Sequence, residues 1–116
     1  HLVFGTLHTS GAPNTINRII DVFPHEQQTQ IQAQLAESLQ MVATQKLFKT
    51  IDGESRVGAF EIMVCNAPLK NLIREKKIHQ IPSIMQTGQR DGMITMEKSI
   101  ENLVNSGKIS PIDAKE

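Results

Sequence analysis

His8 is the side chain best placed to meet a ligand. It follows the apolar run Leu2–Leu7 and precedes Thr9-Ser10-Gly11, the pattern of a buried strand leading into a loop and then a helix. Such a strand end, ahead of a helix N-terminus, is where α/β folds put ligands and where backbone amides favour anions. On the residues alone, a structural loop histidine is the better account. His1 lies seven residues earlier, and an odd spacing on a continuous strand puts it on the opposite face from His8. A metal shared by the two is not expected, and no other metal site is. Arg18 falls on the polar face of the following helix, one turn after Asn14, where it could hold the loop, reach a neighbouring subunit or simply be solvated.

Three further features carry chemistry-bearing residues. Glu61 shares a strand face with Val57, Ala59 and Met63, so its carboxylate must find a partner or lie at a sheet edge. Cys65 reads as a small buried hydrophobe at a strand end, with nothing basic adjoining it to stabilise a thiolate. It is not a candidate nucleophile. Lys70, Arg74 and Lys77 recur at i, i+4 and i+7, which on composition is a solvated helix face. With no interleaved aromatics, that stripe offers nucleic acid neither stacking nor a long electrostatic track.

The elements that must position these residues follow from periodicity. Ile16, Ile19, Ile20 and Phe23 make one helical stripe over 12–23, with Pro13 suited to its first turn and Pro24 ending it. Ile31, Leu35 and Leu39 predict a second helix from His25 to about Leu39, beneath a Gln-rich face read as solvated surface. Met41–Phe48 and Arg56–Val64, separated by the turn signal Asp52-Gly53, predict a β-hairpin. Asn66 can cap a helix over Ala67–Lys77, with Leu69, Leu72 and Ile73 as its buried stripe. Shorter helices are expected over Ile81–Gln86 and Met96–Ser106, the latter stopped by Gly107, and Ser110-Pro111 opens a last turn.

At 116 residues the chain is one domain or a piece of one. Its opening, mid-strand and without an initiator Met, reads as that of a fragment. Twelve basic and twelve acidic side chains balance, so no overall field draws it to nucleic acid or an anionic membrane. One cysteine allows neither an internal disulfide nor a thiolate zinc site, which fits a reducing, cytosolic compartment. No apolar run approaches the ~20 residues that span a bilayer, and no signal peptide opens the sequence, so direct membrane insertion is not expected.

His1-Leu2-Val3-Phe4-Gly5-Thr6-Leu7-His8-Thr9 resembles the histidine box of the secretion ATPase superfamily, the motors of type IV pili and type II secretion. Arg18–Pro24 and Leu35–Gln40 resemble two further stretches of that family. Ala67-Pro68-Leu69-Lys70-Asn71-Leu72-Ile73-Arg74-Glu75 is similar to the AIRNLIRE motif of the pilus-retraction motors, with Pro68 and Lys70 where the motif has Ile and Arg. Lys70 keeps the charge without the bidentate geometry. Gln86-Thr87-Gly88, Gly92-Met93 and Thr95-Met96-Glu97 are similar to C-terminal helices of the same motors, so the resemblance runs through the chain in order.

The resemblance implies an α/β fold: the C-terminal portion of a RecA-like ATPase domain, a partial sheet with a hairpin followed by a helical region. Residues 1–65 would belong to the ATPase core and 66–116 to the helical C-terminal region. It further implies a cytoplasmic homohexamer, peripheral to the bacterial inner membrane, that uses ATP and Mg²⁺ to retract type IV pili for twitching motility through an inner-membrane platform protein. His8 would contact the γ-phosphate, with His1, Thr9 and Arg18 supporting the nucleotide site, and the stretch Ala67–Glu75 would serve retraction. The chain has no G-x-x-x-x-G-K-[ST] loop: Gly107-Lys108 is followed by Ile109, and no glycine lies five residues before Gly107. Alone, the chain is therefore expected to be inactive, because phosphoryl transfer needs amides, a lysine and magnesium around the phosphates. The rival readings are a pilus-assembly or type II secretion ATPase, against which Asn71–Glu75 argues, and a non-catalytic protein-binding module.

Overall fold

Local chemistry sets most of the helix boundaries. The computed structural model describes residues 1–115. Helix α1, Ala12–Asp21, starts behind Gly11 and carries Pro13 in its first turn, where a missing N–H costs nothing. Gly11 has a φ of +89°, a conformation that disfavours any side chain. The helix ends at Asp21, two residues short of the expected Phe23, whose amide instead closes a tighter turn onto Ile20 C=O. Helix α2, His25–Ser38, follows.

Strands β1, Met41–Lys49, and β2, Arg56–Val64, form an antiparallel pair in the register Met41 to Val64 through Lys49 to Arg56. The connecting loop is fixed by Asp52, whose carboxylate accepts from the Thr50 hydroxyl and the Glu54 amide. These bonds hold the carboxyl below the usual Asp range. The chain then folds into α3, Ala67–Arg74, α4, Ile81–Thr87, and α5, Met96–Asn105. A final turn at Asp113–Lys115 is opened by Ser110, whose Oγ accepts from the Asp113 amide at 3.1 Å.

Two apolar clusters hold these elements. The larger joins Ile16 and Ile20 of α1, Ala36 of α2, Met63 of β2, Leu69, Leu72 and Ile73 of α3, and Ile81 and Met85 of α4. In the smaller, Phe48, Ala59 and Ile109 are covered by Ile100, Leu103 and Val104 of α5. The architecture is α/β, a hairpin sheet with helices packed around it.

Four expectations are corrected. Leu2–Leu7 forms no strand, and Leu2, Val3 and Phe4 are exposed. A strand needs a ladder partner, and the described residues pair only β1 with β2, plus an isolated Ile62–Ile94 bridge. The Gln-rich face of α2 is not wholly solvated: Gln32 is buried beside Ala36, and its Oε1 has no hydrogen-bond partner. The seam of α2 is thus rotated towards Gln32 and Ala36, leaving Ile31, Leu35 and Leu39 half-buried. Finally, α3 stops at Arg74, so Lys77 lies outside it. That stop is a Schellman-type turn in which Lys77 N–H bonds Leu72 C=O at 2.9 Å and Lys76 N–H bonds Ile73 C=O at 3.4 Å. Lys76 itself takes the left-handed conformation, with φ of +61°.

Candidate functional site

The loop that carries His8 is tied to α1 by its own side chains. Thr15 Oγ1 donates to Gly11 C=O at 2.9 Å, which leaves it to accept from Thr9 Oγ1 at 2.6 Å. Asn14 Nδ2 donates to Ser10 C=O at 2.7 Å. Around this loop lies an open polar groove lined by His8, Thr9, Ser10, Asn14, Asn17, Arg18 and Asp21. Three of the residues singled out in the sequence, His8, Thr9 and Arg18, therefore share one surface. His1 is exposed at the far end of the extended segment and does not line the groove.

Asn17 and Asp21 also line the groove, and the sequence holds their signal. Asn14, Asn17, Arg18 and Asp21 recur at i, i+3, i+4 and i+7, which sets them on one helix face. That face brings a guanidinium, two amides and one carboxylate to the groove, and the loop adds the His8 imidazole and two hydroxyls, a donor-rich lining suited to an anion.

The start of α1 is not itself the anion site that its position suggested. Ala12 N–H donates to Glu61 Oε1 at 2.8 Å, and Pro13 has no N–H to offer. A carboxylate thus already answers the positive end of this helix. Glu61 meets its expected need for a partner there, and its Oε2 accepts from Met96 N–H at 3.4 Å.

The segment Ala67–Glu75 forms α3 and its C-cap. Asn66 Oδ1 caps it by accepting from Leu69 N–H at 3.1 Å. Leu69, Leu72 and Ile73 are buried, Lys70 is half-buried, and Ala67, Pro68, Asn71, Arg74 and Glu75 are exposed. The basic stripe is broken up. Arg74 donates to Asn71 Oδ1 at 2.8 Å and pairs with Glu37 Oε1 of α2 at 2.6 Å. Lys77, off the helix, pairs with Glu75 at 3.5 Å. Cys65 is half-buried just past β2, and burial pushes its thiol up to about 11, against a smaller opposing pull from the Lys70 charge. The basic neighbour is Lys70, which the sequence spacing did not reveal. Among the described residues, no group of three or more His, Cys, Asp or Glu could hold a metal ion, and no helix is long and apolar enough to cross a membrane.

No protein-family model matches the chain. It is 51% identical over 115 residues to a twitching motility protein of Neisseria gonorrhoeae, covering 99% of this chain and 31% of that protein. It is 48% identical over 116 residues to the type IV pilus retraction ATPase PilT of Pseudomonas aeruginosa, covering all of this chain and 33% of that protein. The crystal structure of the pilus retraction motor PilT with bound ADP superposes with a TM-score of 0.87 at 43% identity, over 98% of this chain and 31% of that one. The chain thus spans about a third of the length of these relatives. Over its whole length, it is homologous to a C-terminal part of the type IV pilus retraction ATPases.

Proposed function

We propose that the chain is part of a hexameric ATP-hydrolysing motor that retracts type IV pili and drives twitching motility, acting at the cytoplasmic side of the inner membrane on a platform protein. The observation that carries this reading is the match of this whole chain to about a third of a twitching motility protein and of a retraction ATPase. Residues 1–65 then complete the ATPase core, and 66–116 form its helical C-terminal region.

The His8 imidazole and Arg18 guanidinium in the lining of the groove support a phosphate there. ATP would supply the phosphoryl group transferred to water, and bound Mg²⁺ would neutralise charge on it. In this chain, the His8 imidazole hydrogen-bonds a terminal phosphate oxygen in the transition state, where the charge of the phosphoryl group is spread over its three equatorial oxygens. Arg18 adds positive charge from α1, while the Thr9–Thr15 and Asn14–Ser10 bonds hold the loop to that helix. The exposed part of α3, with Lys70, meets the neighbouring subunit or the platform.

Both ATP binding and hydrolysis need more of the site than this chain carries. The isolated 116-residue chain is expected neither to hydrolyse ATP nor to bind it at micromolar concentration, whereas the full-length protein does both and restores twitching to a strain lacking its retraction motor. Calorimetric titration with ATP and magnesium, an ATPase assay and a surface motility assay test this. A full-length protein without ATPase activity would overturn the reading.

A further inference from the structure

Glu61 sits on the inward face of β2, between the fully buried Ala59 and Met63. A carboxylate in that position needs donors, and it draws them from two distant parts of the chain. Oε1 accepts from Ala12 N–H at 2.8 Å and Oε2 from Met96 N–H at 3.4 Å. Ala12 and Met96 are the first residues of α1 and α5. One side chain therefore satisfies an orphan amide at each of two helix starts and sets a negative charge against both positive dipole ends. Neither helix could do this locally. Gly11 has no side chain to cap α1, and Thr95 spends its hydroxyl on the Lys98 amide.

The two helices meet at this carboxylate without sharing a core. Ile16 and Ile20 of α1 lie in the larger apolar cluster, whereas Ile100, Leu103 and Val104 of α5 pack on the smaller one. Ala12 directly follows the Thr9–Gly11 loop. The start of α5 is clamped to the outer edge of β2, where Ile62 and Ile94 exchange two backbone bonds at 2.9 and 3.1 Å and Phe60 N–H donates to Ser99 Oγ at 2.9 Å.

We infer that Glu61 is a positioning residue that couples the His8 loop to the start of α5, passing a displacement of the loop to the helical end of the chain. This rests on the reading of the groove as a nucleotide site. The coupling is between a helix start that moves with the loop and one anchored on the sheet, because each amide holds one oxygen of the same rigid carboxylate. Truncating or neutralising that group breaks the connection without opening either apolar cluster.

Amide exchange in the full-length protein, with and without ADP, tests the inference in wild type and in Glu61→Gln, which keeps the side-chain shape. In wild type, ADP should change exchange by about fivefold or more at both Thr9–Ala12 and Met96–Lys98, the low end of typical couplings between sites. In the variant, the response at Thr9–Ala12 should persist and that at Met96–Lys98 should vanish, a split that a general loss of stability would not produce. An equal response of Met96–Lys98 in both proteins overturns the inference, as does a wild-type response confined to the loop. No response at the loop in wild type instead overturns the nucleotide reading. A nucleotide-free arm then decides the coupling. Thr9→Ala, which breaks the bond to Thr15, should alter exchange at Met96–Lys98 when Glu61 is intact and leave it unaltered in Glu61→Gln. If Glu61→Gln does not fold, Thr9→Ala alone is decisive, and unchanged exchange at Met96–Lys98 overturns the inference.

Discussion

The Arg74 guanidinium lies 2.6 Å from Glu37 Oε1, joining the end of α3 to α2. Both side chains are substantially exposed, at 41% and 70%, so the pair is worth no more than about 1 kcal/mol. Arg74→Glu should therefore cost about 0.5–1 kcal/mol by replacing an attraction with a repulsion. The swap of Arg74→Glu with Glu37→Arg should recover most of that loss. Urea unfolding of the three variants checks this, and a swap as unstable as the single change would contradict it.

Lys76 adopts the left-handed conformation at the C′ position of α3, where Gly107 stands in the equivalent turn after α5. The two turns match bond for bond: Gly107 N–H reaches Val104 C=O and Lys108 N–H reaches Leu103 C=O, both at 3.0 Å. A side chain in this conformation costs roughly 1–2 kcal/mol, part of which glycine returns as greater freedom in the unfolded chain. Lys76→Gly should therefore stabilise the chain by about 0.5–1 kcal/mol. Thermal unfolding should show a melting temperature a few degrees higher. An unchanged or lower value would mean that Lys76 makes compensating contacts.

Cys65 should be slow to alkylate. Burial lifts its thiol from an ordinary value of 9.0 to about 11, so at pH 8 the thiolate fraction is lower in the folded chain by about 100-fold. Iodoacetamide should react correspondingly faster with the urea-unfolded chain than with the native one. Native reactivity should climb only as pH approaches 11. Equal rates in the two states at pH 8 would show that Lys70 outweighs burial.

What could be read from the sequence was the chemistry of neighbours along the chain. The Ile16 and Ile20 stripe, the Asn66 cap and the Gly107 stop each depend on residues within two turns, and each is present, whereas Ile19 is only half-buried and Phe23 lies beyond the helix. The polar face Asn14–Asn17–Arg18–Asp21 is equally local, but spacing alone does not show that it shares a groove with His8. The two donors to Glu61 are not local, because they stand 49 and 35 residues away. The Leu2–Leu7 run gave an apolar pattern but no means of finding a ladder partner. On α2, the angle at which the helix packs turns Gln32 inward, and periodicity carries no information about that angle. Lys76 occupies a position that usually signals itself by glycine.

The measurement that bears most directly on the proposed function is the kinetics of His8→Ala in the full-length protein, beside a nucleotide-binding assay. A group that meets charge developing on the transferred phosphoryl stabilises the transition state more than the bound nucleotide, so its loss should lower kcat by about tenfold or more. Nucleotide affinity and melting temperature should stay nearly unchanged. Turnover equal to that of the wild type would contradict the account and return His8 to the role of a structural loop histidine.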